Sequence, residues 1–128
     1  EFFASSGVRS SVEAARNALS DKIQYLTEFL GGEYEIQGAY PAWEYRKESP
    51  LRDKMVEVYE TMYGQKPEVV AIHAGLECGL FYKKIDGLDC VSLGPDMKDI
   101  HTSEEVLDIA STERVWKYLV KVLEELKD

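Results

Sequence analysis

The side chains best suited to metal or acid–base chemistry are two histidines, the only ones among 128 residues. His101 stands in the run Asp99-Ile100-His101-Thr102-Ser103-Glu104-Glu105, whose acidic side chains could orient an imidazole toward a metal. The competing interpretation is a solvated loop histidine among surface acids. One histidine cannot hold zinc alone, because zinc sites need three or four protein ligands. The sequence contains no HExxH pattern that would supply the others locally.

Two further positions have the chemistry of an anion-binding site. Gly75 follows His73 at a predicted strand-to-helix turn, where helix amides bind carboxylate or phosphate and glycine permits close approach. An ordinary β-α turn explains the same pattern. Arg9 follows the small residues Ser5-Ser6-Gly7-Val8 and offers a guanidinium fork that fits a carboxylate. A surface salt bridge is the alternative for this arginine.

Charge and cysteine usage limit the classes of function. The formal net charge of −9 argues against nucleic-acid binding and against an anionic membrane surface. No apolar run has the length of a transmembrane helix, and the first residues lack the pattern of a signal peptide. The spacing of Cys78 and Cys90 matches neither a redox pair nor a zinc knuckle. We therefore expect reduced, buried, structural cysteines and a cytoplasmic location.

Apolar periodicity and turn residues predict an α/β fold. The expected order is a β-α-β unit followed by α-β-α-β-α, with the helices packed on a mixed sheet. Helices are predicted over 12–30, 50–63, 76–82 and 112–126, and strands over 1–9, 33–39, 68–72 and 89–93. Two prolines and a charge cluster predict a connector at 40–49, in which Trp43 either lines a cleft or covers a junction.

Several segments resemble the C-terminal quarter of the Xaa-His dipeptidases, within the two-metal family of zinc aminopeptidases and carboxypeptidases. The resemblance covers nearly the whole chain in the same order. The segments that carry it are Val8-Arg9-Ser10, Tyr40-Pro41-Ala42-Trp43, Ser49-Pro50-Leu51, Ile72-His73-Ala74-Gly75-Leu76-Glu77-Cys78-Gly79, Ser92-Leu93-Gly94-Pro95-Asp96-Met97, Asp99-Ile100-His101-Thr102 and Ala110-Ser111-Thr112.

This resemblance implies roles that the residues alone do not show. The family histidine that matches His101 is a zinc ligand. The arginine that matches Arg9 approaches the carboxylate of the dipeptide, and the glycine that matches Gly75 gives a backbone contact to the same end of the substrate. The family's remaining zinc ligands, its bridging aspartate and its general-base glutamate match no segment of this chain.

The resemblance also implies a domain organisation and a function. Residues 1–39 are expected to be the last β-α-β part of a lid sub-domain, 40–49 a connector, and 50–128 the end of the catalytic domain. The chain is then an inactive fragment of a hydrolase that cleaves dipeptides by metal-activated water. A non-catalytic binding or assembly module on a related scaffold is the alternative. Uncovered strand edges and apolar surface predict a homodimer through the 1–39 unit.

Overall fold

The protein is helix-rich and contains one small sheet within the residues that can be described. The computed structural model describes residues 2–72 and 77–127. The helices are α1 (Glu13–Phe29), α2 (Pro50–Tyr63), α3 (Glu77–Lys84) and α4 (Ile109–Glu125). The strands β1 (Met97–Lys98) and β2 (Val106–Leu107) pair antiparallel, with Met97 opposite Leu107. None of these helices is long and apolar enough to cross a membrane.

The chain divides into two compact units, each built from two separate stretches. Unit 1 comprises Glu1–Lys47 and Val70–Leu88, and it contains α1 and α3. Unit 2 comprises Glu48–Val69 and Asp89–Asp128, and it contains α2, α4 and the β1–β2 hairpin. The division into a lid part, a connector and a catalytic part stays a prediction.

The hydrophobic core of unit 2 lies where α2 packs on α4. Met55 and Val58 of α2 are buried against Tyr118 and Val122 of α4, at the three- and four-residue spacing of amphipathic helices. The Tyr118 hydroxyl donates a hydrogen bond to the Met55 carbonyl oxygen at 2.7 Å, so its polar end is satisfied inside the core. Val91 packs against the same cluster.

Helix α2 begins and ends at the residues that the sequence predicts. The Ser49 hydroxyl oxygen accepts a hydrogen bond from the Arg52 amide at 3.1 Å, and Gly64 ends the helix with φ of +71°. Asp89 strengthens the start of the helix, because its carboxylate accepts hydrogen bonds from the Ser49 hydroxyl at 2.7 Å and the Leu51 amide at 3.0 Å. The predicted bounds of this helix are confirmed.

The sequence predicts that helix α4 starts at residue 112, but the helix begins earlier, at Ile109. The Asp108 carboxylate caps the helix by accepting a hydrogen bond from the Ser111 amide at 2.5 Å. The buried Ser111 hydroxyl donates to the Asp108 carbonyl oxygen at 2.7 Å and accepts from the Asp96 amide at 2.8 Å. Because Asp96 precedes β1 and Asp108 follows β2, these bonds attach the base of the hairpin to α4.

Unit 1 forms helices with little buried surface. Helix α1 is formed as predicted, but it has no buried residue, and Leu26 and Leu30 of its apolar stripe are 60% and 73% exposed. At Gly79, helix α3 comes close to the segment that joins α1 to α2. A Cβ atom on Gly79 would lie 2.9 Å from the Pro41 carbonyl oxygen and 3.6 Å from the Cβ of Trp43. Glycine therefore permits this packing, and Trp43 is half-buried beside it.

The predicted strands are not formed in the described parts of 1–9, 33–39, 68–72 and 89–93. The predicted β-α-β unit and mixed sheet are therefore not confirmed among the described residues. A strand requires a neighbour that receives its backbone hydrogen bonds. None of these segments has such a neighbour among residues 2–72 and 77–127, and many of their apolar side chains are exposed.

Candidate functional site

His101 lies in the loop that joins β1 to β2, so the predicted loop position is confirmed. The loop spans residues 99–105, and all of them are exposed. At its base the Asp108 amide donates a hydrogen bond to the Asp96 carbonyl oxygen at 2.9 Å. The hairpin therefore presents the imidazole to solvent from a base that is fixed to α4.

The backbone of this loop is unusual at two positions. Asp99 has φ of +51° and His101 has φ of +68°, the left-handed region that residues other than glycine rarely adopt. Thr102 stabilises the turn, because its amide and its hydroxyl donate to the Asp99 carbonyl oxygen at 3.1 Å and 2.7 Å. The Glu105 carboxylate accepts a hydrogen bond from the His101 amide at 2.7 Å. Local hydrogen bonds thus hold a strained conformation.

The acidic neighbour that contacts His101 is Glu105, and it contacts the backbone rather than the imidazole. We expected the carboxylates of this loop to orient the ring, but Glu105 binds the backbone amide of His101. The Glu104 carboxylate lies 3.4 Å from the Ser103 hydroxyl. Glu105 is therefore the acid of this loop that contacts the main chain of His101.

The described residues do not fit a self-contained zinc site. Outside the segment 73–76 and the two terminal residues, no three histidine, cysteine, aspartate or glutamate side chains are grouped to hold a metal ion. His101 offers one imidazole, whereas zinc in proteins takes three or four ligands from the chain.

The remaining predicted site residues lie apart from the hairpin in the sequence. Arg9 belongs to unit 1, is exposed, and forms no ion pair with the residues that the structure describes. Gly75, predicted to contact substrate, lies outside the described residues, and so does His73. Cys78 and Cys90 are not joined in a disulfide, and both are half-buried rather than buried.

A shallow groove in unit 2 lies beside the base of the hairpin, lined by Tyr59, Tyr63, Gln65, Gly94, Pro95, Asp96, Ser111, Arg114, Val115 and Tyr118. Several of its polar groups make structural contacts. Arg114 pairs with Asp96 at 3.2 Å, and the Tyr63 hydroxyl donates to the Arg114 carbonyl oxygen at 3.1 Å. Burial raises the pKa of Tyr118, and Tyr59 and Tyr63 act in the same direction. Tyr59, Tyr63 and Tyr118 line the groove and also belong to the core or pack against it.

Sequence reasoning missed the structural role of Ser111, which joins the hairpin to α4. The available signal was Asp108, because an aspartate three residues before a serine at the start of an apolar helix is an N-cap pattern. It also missed the strands on either side of His101, which are two residues each.

The chain is similar in sequence and in fold to a segment of two dipeptidases. The chain is 33% identical over 119 residues to the cytosol non-specific dipeptidase of Escherichia coli K12, a match that covers 93% of the chain. The crystal structure of aminoacylhistidine dipeptidase from Vibrio alginolyticus matches 93% of the chain with a TM-score of 0.74 and 34% identity. No family model matches the chain.

The match covers a limited part of each relative. The chain spans 24% of the length of both dipeptidases. The resemblance inferred from the sequence segments is confirmed by these two comparisons.

Proposed function

We propose that this chain is one part of a zinc dipeptidase and supplies His101 as a ligand to its metal site. The observation that carries the proposal is dipeptidase similarity over 93% of the chain together with a hairpin that presents a single histidine to solvent. In this proposal the other ligands come from the part of the relatives that the chain does not match.

The substrate-binding part of the proposal rests on two residues. Arg9 binds the free carboxylate of a dipeptide through its planar guanidinium, and Gly75 offers a backbone contact to the same group. The proposed substrates are dipeptides, Xaa-His among them, and the proposed location is the cytoplasm. The names of the relatives, a cytosol dipeptidase and an aminoacylhistidine dipeptidase, support both statements.

The chain by itself is expected to hydrolyse no dipeptide and to bind zinc weakly, because one imidazole leaves most of the coordination shell to water. Calorimetry of the chain with Zn²⁺ should show no tight stoichiometric site. A saturable submicromolar site that His101→Ala abolishes would contradict this expectation and would reveal local ligands.

A hybrid enzyme tests the role of His101. The matching segment of the E. coli dipeptidase is replaced by this chain, and circular dichroism establishes that the hybrid is folded. We expect dipeptide hydrolysis that His101→Ala removes together with bound zinc, whereas Ser103→Ala in the same loop retains both. Arg9→Ala should weaken binding of a dipeptide and leave its C-terminal amide unaffected.

Two results would argue against the proposal. A folded hybrid whose zinc content does not depend on His101 would exclude this histidine as a ligand and favour a binding or assembly module. An equal effect of Arg9→Ala on the dipeptide and on its amide would exclude the carboxylate-binding role.

A further inference from the structure

We propose that Glu105 is the positioning residue for His101, holding the backbone conformation that presents the imidazole. The inference rests on the proposed function, in which that imidazole is used. The contact that carries it is the hydrogen bond of 2.7 Å from the His101 amide to the Glu105 carboxylate. A bond to a charged acceptor is stronger than one between neutral groups.

The conformation at His101 needs such support. Its φ of +68° places the Cβ atom near the following carbonyl group, which is unfavourable for an L-residue. Strained backbone persists where surrounding structure compensates for it. Residues 99–105 are all exposed, so packing contributes little, and hydrogen bonds within the loop must supply the compensation.

Glu105 holds the loop through its main chain as well as its side chain. The Glu105 amide donates to the Thr102 carbonyl oxygen at 3.3 Å, while its carboxylate reaches back to the His101 amide. Glu105 therefore holds the turn at two points, the carbonyl oxygen of Thr102 and the amide of His101. Removing the carboxylate should free His101 to take the ordinary negative φ.

The base of the hairpin is fixed independently of Glu105. Ser111 bonds to Asp96 and Asp108, and those two residues bond to each other across the hairpin. Glu105 thus controls the direction of the imidazole, and Ser111 controls where the hairpin is attached. A change at Glu105 should leave the fold of unit 2 intact.

Glu104 provides a matched control. It is the neighbouring residue, it carries the same charge, and it is equally exposed. Its carboxylate lies 3.4 Å from the Ser103 hydroxyl, at the limit of a hydrogen bond. Glu104→Ala therefore removes one carboxylate from the loop without removing the bond to His101.

The test is solution NMR on the full chain without metal or substrate. Glu105→Ala should change the φ-dependent scalar coupling of His101 and accelerate exchange of its amide proton roughly tenfold or more, as loss of a charge-assisted hydrogen bond implies. Glu105→Gln keeps an acceptor oxygen and should restore most of the wild-type coupling. Glu104→Ala should leave both readouts unchanged.

Three outcomes would overturn the proposal. They are an unchanged His101 coupling and exchange rate in Glu105→Ala, an equal change in Glu104→Ala, or unfolding of unit 2 by Glu105→Ala. Because no metal is present, these results do not depend on whether His101 binds zinc. The hybrid enzyme with His101→Ala tests that separate question, so failure of one proposal is distinguishable from failure of the other.

Discussion

Helices α1 and α4 are each 17 residues long, but they are stabilised very differently. Helix α4 buries Ser111, Tyr118 and Val122 and starts at an aspartate whose side chain caps it. Helix α1 buries no residue, and Val12 at its N-cap position makes no side-chain hydrogen bond. The two helices therefore share a length and an apolar periodicity, while of the two only α4 has buried residues.

This difference separates what periodicity determines from what packing determines. Periodicity predicts that a segment is helical and which face is apolar. Whether that face is covered depends on residues elsewhere in the chain or in another molecule. Since apolar burial is the main favourable term in folding, the stability of the described chain is concentrated in unit 2.

The largest expected effect comes from truncating the core tyrosine of unit 2. Tyr118→Ala should lower the free energy of unfolding by about 3–5 kcal/mol, as for large-to-small changes at other aromatic core positions. The matched change Tyr25→Ala, at a side chain of α1 that is 68% exposed, should have an effect of at most about 0.5 kcal/mol. Urea unfolding monitored by circular dichroism measures both.

A large effect of Tyr25→Ala would contradict the contrast between the two helices. It would show that α1 is covered in solution, and the free energy of unfolding would then depend on protein concentration if the cover is a second copy.

An intermediate effect is expected on self-association. We propose that the chain forms a dimer through residues 1–39, where Phe2 and Phe29 are 96% and 86% exposed. Phe29→Ser should raise the dimer dissociation constant roughly tenfold or more, because the interface would lose the free energy of burying one aromatic side chain. Light scattering over a concentration series, with Trp116→Ser in α4 as the control, measures the change.

Two results would contradict this assignment of the interface. A strictly monomeric chain at high micromolar concentration would exclude the dimer. A dimer that Trp116→Ser weakens and Phe29→Ser does not would place the interface on unit 2.

The smallest expected effect is a gain in stability at the hairpin. His101→Gly should raise the free energy of unfolding by about 0.5–1 kcal/mol, because glycine relieves the positive φ and its greater freedom in the unfolded chain offsets part of that gain. Ser103→Gly in the same loop, where φ is not positive, should not stabilise. Thermal unfolding compares them, and a loss of stability in His101→Gly would show that the backbone is not strained there.

The helices were predictable because their signals are local. Ser49-Pro50 and Gly64 give the bounds of α2 within the segment itself. Whether the predicted strands form, and where the short hairpin is attached, depends on residues that are distant in the sequence. Apolar runs such as 68–72 predict strands only if a neighbouring strand exists. The hairpin is attached by Ser111, 15 residues beyond Asp96 in the sequence.

The sequence identifies the candidate residue of the site but does not predict the backbone geometry around it. Residue type and a polar loop single out His101 as a candidate, whereas its role as a metal ligand is implied by the family resemblance and stays a prediction. Its positive φ could not be predicted, because that conformation depends on the Glu105 carboxylate four residues later in the sequence. The predictions for Arg9 and Gly75 stay predictions.

The discontinuous chain path of unit 2 has a consequence for folding kinetics. The hydrogen bond between Tyr118 and Met55 joins residues 63 apart, and the bond between Ser49 and Asp89 joins residues 40 apart. Closing such loops costs entropy before any contact forms, and distant contacts slow folding. Helical turns in α1 and α2 should therefore appear early in refolding, and burial of Tyr118 should follow as a later, slower phase.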